Sequence, residues 1–313
     1  MATIYNKIVK KLFVKNKKCI INTDLDGILS GMLLKKFLNW EVVGYSNCCG
    51  RVEDNLWLKN GITDIEECIF VDLPVIMKEF STIDQHFVAF DDDNIISYNA
   101  GENKINPNII CSRTYIKNDY TKKYPFGTVH FILAVLERLG IIPDDYRIDF
   151  YKSIGTFDLS DLFLRADRVV GNTFFYTQNC LWWNNWIKNC GGSLTKTLFD
   201  IAEKEYKVRK EAEQNVERCL KEFGCAGIDG ECSNLFRKRD NTKLKEYFDF
   251  LSSAFGLESL PVFDYYSYDK LYGERIMIEN NLNEIKGIIK REDLFSYAFV
   301  SMRVLSVTYK RRK

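Results

Sequence analysis

Residues 18–34 read KCIINTDLDGILSGMLL. A short apolar run of strand type ends in Asp24-Leu25-Asp26-Gly27, and the small pair Ser30-Gly31 opens a helix before the apolar run resumes. Alternation along a strand puts Asp24 and Asp26 on one face, and in open α/β sheets ligands gather beyond the carboxyl ends of the strands. Gly27 lets the backbone turn tightly into the helix. An Asp-Gly pair can equally form an Asx turn that caps a helix. Recurrence of the pattern downstream favours a ligand site.

The second occurrence is Cys68-Ile69-Phe70-Val71-Asp72-Leu73-Pro74, an apolar run ending in one Asp and stopped by Pro. A third follows, where His86-Phe87-Val88-Ala89-Phe90 reads as a strand leading into Asp91-Asp92-Asp93-Asn94. Three adjacent carboxylates ionise more cheaply with a cation among them, although a solvated loop also tolerates them. In the fourth, a helix-like pattern at Tyr151–Ile154 runs into Gly155-Thr156-Phe157-Asp158. Four acidic termini predict a convergent site.

These motifs, over roughly residues 18–165, resemble in order and spacing the DHH phosphoesterase superfamily of RecJ-type exonucleases, oligonucleotide and cyclic-dinucleotide phosphodiesterases and manganese pyrophosphatases. Asn22-Thr23-Asp24-Leu25-Asp26-Gly27 is similar to the family's (D/H)xDxDG motif, with Asn22 in the leading place. Asp72 stands for the lone strand-end Asp. Asp91-Asp92-Asp93, or the register Asp92-Asp93-Asn94, stands for the Asp-His-His that names the family. Gly155-Thr156-Phe157-Asp158 resembles its fourth motif, and Tyr124–Ile132 the segment that follows the third.

The resemblance implies two Mn²⁺ or Mg²⁺ ions. Asp72 would bridge them, Asp24 with Asn22 nearby would hold one, and Asp26, Asp158 and Asp92 the other, with Asp91, Asp92 or Asp93 orienting the attacking water. The chain has two histidines, His86 and His130, and neither falls on a motif position in this reading. An all-oxygen shell suits hard Mg²⁺ or Mn²⁺ better than Zn²⁺. Arg113 and His130 are candidates for substrate phosphate, against the plainer readings of a solvated arginine and a structural histidine in the first turn of a helix. The implied function is a phosphodiesterase acting on short oligonucleotides or nucleotides. The alternative is a catalytically impaired module of the same fold that binds a nucleotide or a protein partner.

Composition is that of a soluble globular chain: 313 residues, 46% hydrophobic and 28% charged, net +1. The near-balance removes one argument for long-duplex binding, and Lys310–Lys313 reads as the one concentrated basic cluster. The partners expected are a phosphoester or short nucleic-acid substrate, no membrane, and as a further option a second copy in a homodimer. The N-terminus lacks a signal-peptide core, and ten scattered cysteines read as reduced thiols, so the expected location is cytoplasmic.

Alternating strand-like and helix-like segments to about residue 165 predict an α/β fold with a parallel sheet and helices on both faces. The expected organisation is a DHH-like domain over 1–190, a helical linker over 191–225 and a smaller α/β C-terminal domain over 226–313. Helices are predicted at 28–39, 129–139 and 197–223, and strands at 41–46 and 296–309. Trp182, Trp183 and Trp186, with the aromatic run 261–268, read as packing or base-stacking side chains.

Overall fold

The computed structural model describes residues 2–47, 56–113, 122–166, 178–205, 210–227, 229–277, 282–301 and 304–311. The chain begins α1 (Ala2–Leu12), β1 (Lys18–Asn22), α2 (Leu25–Leu38), β2 (Glu41–Ser46), β3 (Leu56–Lys59), β4 (Ile69–Val71), β5 (Ser81–Ile83), α3 (Asp92–Asn99), β6 (Lys104–Ile105) and α4 (Pro107–Ile110). It continues through α5 (Thr128–Arg138), β7 (Ser153–Ile154), β8 (Phe157–Asp158), α6 (Leu159–Leu164), α7 (Gln178–Cys190), α8 (Ser193–Glu205), α9 (Lys210–Glu222), α10 (Ser233–Lys238) and α11 (Asn241–Phe255). The last elements are β9 (Tyr265–Ser267), β10 (Leu271–Met277), α12 (Leu282–Ile289), β11 (Leu294–Ser301) and β12 (Val304–Lys310).

Internal packing divides the chain into two interleaved units. One comprises Met1–Asn22, Glu41–Tyr124 and Phe263–Lys313; the other comprises Thr23–Trp40 and Pro125–Val262. Neither is a continuous stretch of sequence.

The first unit is α/β. Its central sheet runs β6-β5-β4-β1-β2-β3-β9. The five strands from β6 to β2 are mutually parallel, and β3 is antiparallel to both β2 and β9. Cys19, Ile20 and Ile21 of β1 are all fully buried, as expected of a central parallel strand covered on both faces. Phe70, Phe80 and Phe295 meet edge to face with ring centroids 5.1–5.7 Å apart, in a core that Ile20, Leu58 and Leu73 extend. A smaller antiparallel sheet, β10-β12-β11, completes the unit. The chain steps from β1 to β2 on one side and returns through β4 to β5 and β6 on the other. The order therefore reverses between β1 and β4, and crevices that bind ligands form at such switch points.

The second unit is mainly helical. α2 is apolar nearly all round, and Leu25, Ile28, Leu29, Met32, Leu33, Leu34 and Leu38 are buried, the signature of an internal helix. It packs against α5. Asp24 caps α2, accepting from Gly27 N at 2.9 Å, and Asn39 ends it in the left-handed conformation, φ 54°. Trp183 is fully buried and packs edge-on to Trp186 at 5.2 Å, so these rings are packing groups within the unit.

Several expectations needed correction. Residues 86–90 are a loop: Phe87 N and Phe90 N donate to the side chains of Asp84 and Asn94, and Phe87 O and Val88 O accept from the side chains of Asn106 and Tyr297. Tyr151–Ile154 is no helix: β7 and β8 form a hairpin around Gly155 (φ 65°) and Thr156. The single strand expected at 296–309 is a hairpin of β11 and β12. The expected helix 197–223 corresponds to α8, ending at Glu205, and α9, starting at Lys210; Tyr206 and Val208 lie outside the described residues. Among the described residues no helix is long and apolar enough to cross a membrane.

Candidate metal centre

Two neighbouring parallel strands of the first unit end in aspartate. β4 stops at Val71, and Asp72 continues its ladder by donating its N–H to Ile83 O at 2.8 Å. β5 stops at Ile83, and Asp84 N donates to Ile105 O at 3.1 Å. Asp72 is buried and held at φ 59°, a conformation few residues other than Gly, Asn and Asp adopt readily. The fully buried Thr82 hydroxyl donates to Phe70 O at 3.1 Å or to Leu73 O at 2.7 Å, spanning the bend at Asp72.

His86 comes back over these strand ends. Its Nδ1 lies 2.9 Å from Asp84 Oδ1 and 3.4 Å from Asp72 Oδ1. One ligand atom from each of Asp72, Asp84 and His86 falls within 4.8 Å of the other two. Both carboxylates are fully buried, whereas the imidazole is 28% exposed, so solvent reaches the cluster from the histidine side. From the end of β1, Asn22 Nδ2 donates to Asp72 Oδ2 at 3.0 Å. Buried carboxylates need such partners, since an unpaired one would be costly to ionise.

The loop carrying His86 is braced by amides. Asp84 Oδ2 accepts from Phe87 N at 2.9 Å and from Asn106 Nδ2 at 3.4 Å. Asn108 Nδ2 donates to Gln85 O at 2.8 Å, while its Oδ1 accepts from Tyr124 N at 2.6 Å. Asn106 and Asn108 are both fully buried. Phe87 stacks on Tyr98, with centroids 4.1 Å apart. Gln85 Nε2 lies 3.1 Å from His86 Nε2. Two carboxylates and one imidazole make a mixed oxygen and nitrogen donor set that leaves coordination positions for water, and such a set fits Mn²⁺ well and Mg²⁺ less well.

No family model, curated protein or solved structure matches the chain.

The sequence-predicted residues fall in both units. Asn22 and Asp72 lie in the first, beside the centre. The carboxylate run Asp91-Asp92-Asp93 forms the start of α3. Asp91 caps the helix, accepting from Asn94 N at 3.1 Å, with Lys286 Nζ 3.7 Å away, and Asp92 and Asp93 are exposed in its first turn. A helix N-terminus and solvent stabilise the three charges without a bound cation. Arg113 Nε donates to Lys122 O at 3.3 Å.

Asp24, Asp26, His130 and Asp158 belong to the second unit. Burial pushes the Asp24 carboxyl well above its ordinary range, with Asp26, Glu231 and Asp229 adding to the effect. Both oxygens of Asp26 accept from the first turn of α5, Oδ2 from Thr128 N and Oδ1 from Val129 N, each at 2.7 Å. Asp158 accepts from Ser153 Oγ at 2.8 Å, and its own N–H donates to Asp161 at the start of α6. His130 is fully buried; Nδ1 accepts from Gly127 N at 2.9 Å and Nε2 lies 3.1 Å from Phe163 O. With both nitrogens engaged and no exposure, it is a structural residue, and its assignment to substrate binding is corrected.

Asp84 and His86 are the residues that the sequence reading missed. Their signal is Asp84-Gln85-His86 directly after Thr82-Ile83, but β5 is only Ser81–Ile83 and two of its three residues are hydroxylic.

Proposed function

We propose that the chain is a metal-dependent phosphohydrolase of the DHH type, most specifically a phosphodiesterase acting on short oligonucleotides or nucleotides. The observation that carries this reading is the gathering of Asp72, Asp84 and His86 at the carboxyl ends of β4 and β5, next to the β1/β4 switch point. On this reading Asp84-Gln85-His86, and not Asp91-Asp92-Asp93, stands where the family carries Asp-His-His after a strand. The name motif then keeps one imidazole.

Asp72, Asp84 and His86 would hold Mn²⁺ or Mg²⁺, which when bound supplies Lewis acidity toward a phosphoryl oxygen and an activated water. The chain's own groups do the positioning. Asn22 fixes one oxygen of Asp72 and leaves Oδ1 turned toward His86. Asn106 does the same for Oδ2 of Asp84, leaving Oδ1 toward the imidazole. The exposed side of His86 is the approach for a phosphoester.

The test is hydrolysis of 5′-labelled short oligonucleotides, cyclic dinucleotides and pyrophosphate with Mn²⁺ or Mg²⁺, beside Asp72→Asn and His86→Gln. Turnover that requires the metal and disappears in both variants is expected. Turnover that survives in Asp72→Asn, or calorimetry showing no metal bound by the unaltered protein, overturns the proposal. Tight nucleotide binding without turnover would support the non-catalytic module in its place.

A further inference from the structure

Lys310–Lys313 is not the one basic cluster, as expected above: residues 1–23 hold no acid but carry Lys7, Lys10, Lys11, Lys15, Lys17 and Lys18, a local excess that the net charge of +1 conceals. All six belong to the first unit. α1 turns Tyr5, Ile8 and Leu12 into the core, and Phe13 follows them. Lys7, Lys10 and Lys11, spaced i, i+3 and i+4, therefore share the outward face. Lys15 and Lys17 follow in the exposed connection into β1, Lys18 is the first residue of that strand, and all six lysines are exposed.

Acidic groups meet this segment at two places, Glu102 beside α1 and Glu41 opposite Lys18 in the β1/β2 ladder, and Glu41 is itself paired with Lys59. Lys7 pairs with Glu102 at 2.9 Å, and Lys11 Nζ donates to the Glu102 carbonyl at 3.4 Å. The bond to Lys7 holds the Glu102 carboxyl below its ordinary value, and Lys11 adds to the effect. Lys10, Lys15, Lys17 and Lys18 have no ion-pair partner among the described residues.

We infer that this lysine face docks on the phosphate backbone of double-stranded nucleic acid. A row of ammonium groups complements a polyphosphate and gains from release of its condensed counterions. Single-strand platforms add aromatic rings on which bases stack, but here Tyr5 and Phe13 are buried, and among the described side chains of the segment the exposed apolar one is Val14. A membrane-surface helix needs an apolar face to insert, and the apolar face of α1 is already committed to the core. What remains is a charge pattern suited to backbone contacts without base reading. This inference is independent of the hydrolase reading.

The experiment is fluorescence anisotropy with a labelled 24-base-pair duplex, the matching single strand and phosphatidylserine vesicles, over a salt series with EDTA present so that turnover plays no part. The variants are Lys10→Gln/Lys15→Gln/Lys17→Gln and, as a control of equal charge change in the second unit, Lys196→Gln/Lys204→Gln/Lys238→Gln. Circular dichroism checks that both fold. Duplex binding is expected to fall steeply with salt, to weaken by about tenfold or more in the first variant with a log–log salt slope smaller by about 3, and to hold in the control. An unchanged slope in the first variant, an equal loss in the control, tighter binding to the single strand, or binding to vesicles alone overturns the inference. Asp72→Asn should bind duplex as the unaltered protein does, so loss of hydrolysis and loss of docking are read separately.

Discussion

The Asp26 carboxylate occupies the space that a side chain on Gly127 would need. A Cβ at Gly127 would lie 2.7 Å from Asp26 Oδ2 and 2.9 Å from its Cγ. The carboxylate cannot easily move aside, because both oxygens are held by N–H groups of α5. Gly127→Ala should destabilise the protein by about 3 kcal/mol, measured by urea denaturation, since it combines overpacking with loss of a charge-assisted cap. Asp26→Asn keeps the shape but turns an amide N–H toward a backbone N–H, and should cost about 2 kcal/mol.

Asn106 acts on the candidate metal centre through Asp84, to whose Oδ2 it donates at 3.4 Å. Asn106→Leu should lower Mn²⁺ affinity by about 10- to 100-fold in calorimetry. Asp84 itself stays in place through its backbone bond to Ile105. A merely structural role would lower melting temperature and leave affinity per folded molecule unchanged.

His130 makes the fold sensitive to acid. Burial pushes its pKa down to about 3 from 6.5, against the opposing bonds to Phe163 and Gly127. The unfolded chain therefore binds a proton below pH 6.5 that the folded chain refuses until about pH 3. Stability is fully present above 6.5 and falls as pH drops through that interval, by about 5 kcal/mol at its lower end. Stability against urea measured from pH 7 to 4 should show this slope, and imidazole nitrogen shifts should keep His130 neutral at pH 5.

Lys104 tests the same linkage in an alkaline window. Lys104 is buried in β6, and its ammonium donates to Asn103 Oδ1 at 3.0 Å and lies 5.9 Å from the Tyr98 ring centroid. Burial lowers its pKa to about 8 from 10.5, with Glu79 opposing. Below pH 8 both states carry the charge and the full burial penalty remains, whereas between 8 and 10.5 the folded chain sheds the proton first and stability rises. Lys104→Met should therefore stabilise the protein at pH 7 by about 2 kcal/mol, after allowance for the lost hydrogen bond, and flatten the rise above pH 8.

How legible each element was depended on whether its signal was local. β1, β2, α2 and α5 could be read to within a few residues because buried runs such as Cys19–Ile21 and Leu25–Leu38 carry their own hydrophobic pattern. Asp72 was visible as the end of Ile69–Val71. Asp84 and His86 were hidden because β5 is short and hydroxylic, and because the amides that shape their loop, Asn106 and Asn108, come about twenty residues later. Asp91–Asp93 misled for the converse reason, since acids favoured by a helix N-terminus resemble ligands when only sequence is in view. The turn at Gly155-Thr156 was legible, but Tyr151–Ile154 before it was read as helical because each arm of the hairpin is only two residues long.

The left-handed backbone at Asp72 sets two selective pressures against each other. Glycine would relax the φ of 59°, and asparagine adopts it readily, but neither offers a carboxylate to a cation. A mutant library screened only for expression and heat resistance should drift toward those two residues at position 72, while, on the proposed hydrolase reading, one screened for turnover should return Asp alone. Sequencing the survivors of both screens would show, without any assay of mechanism, which demand shaped this position.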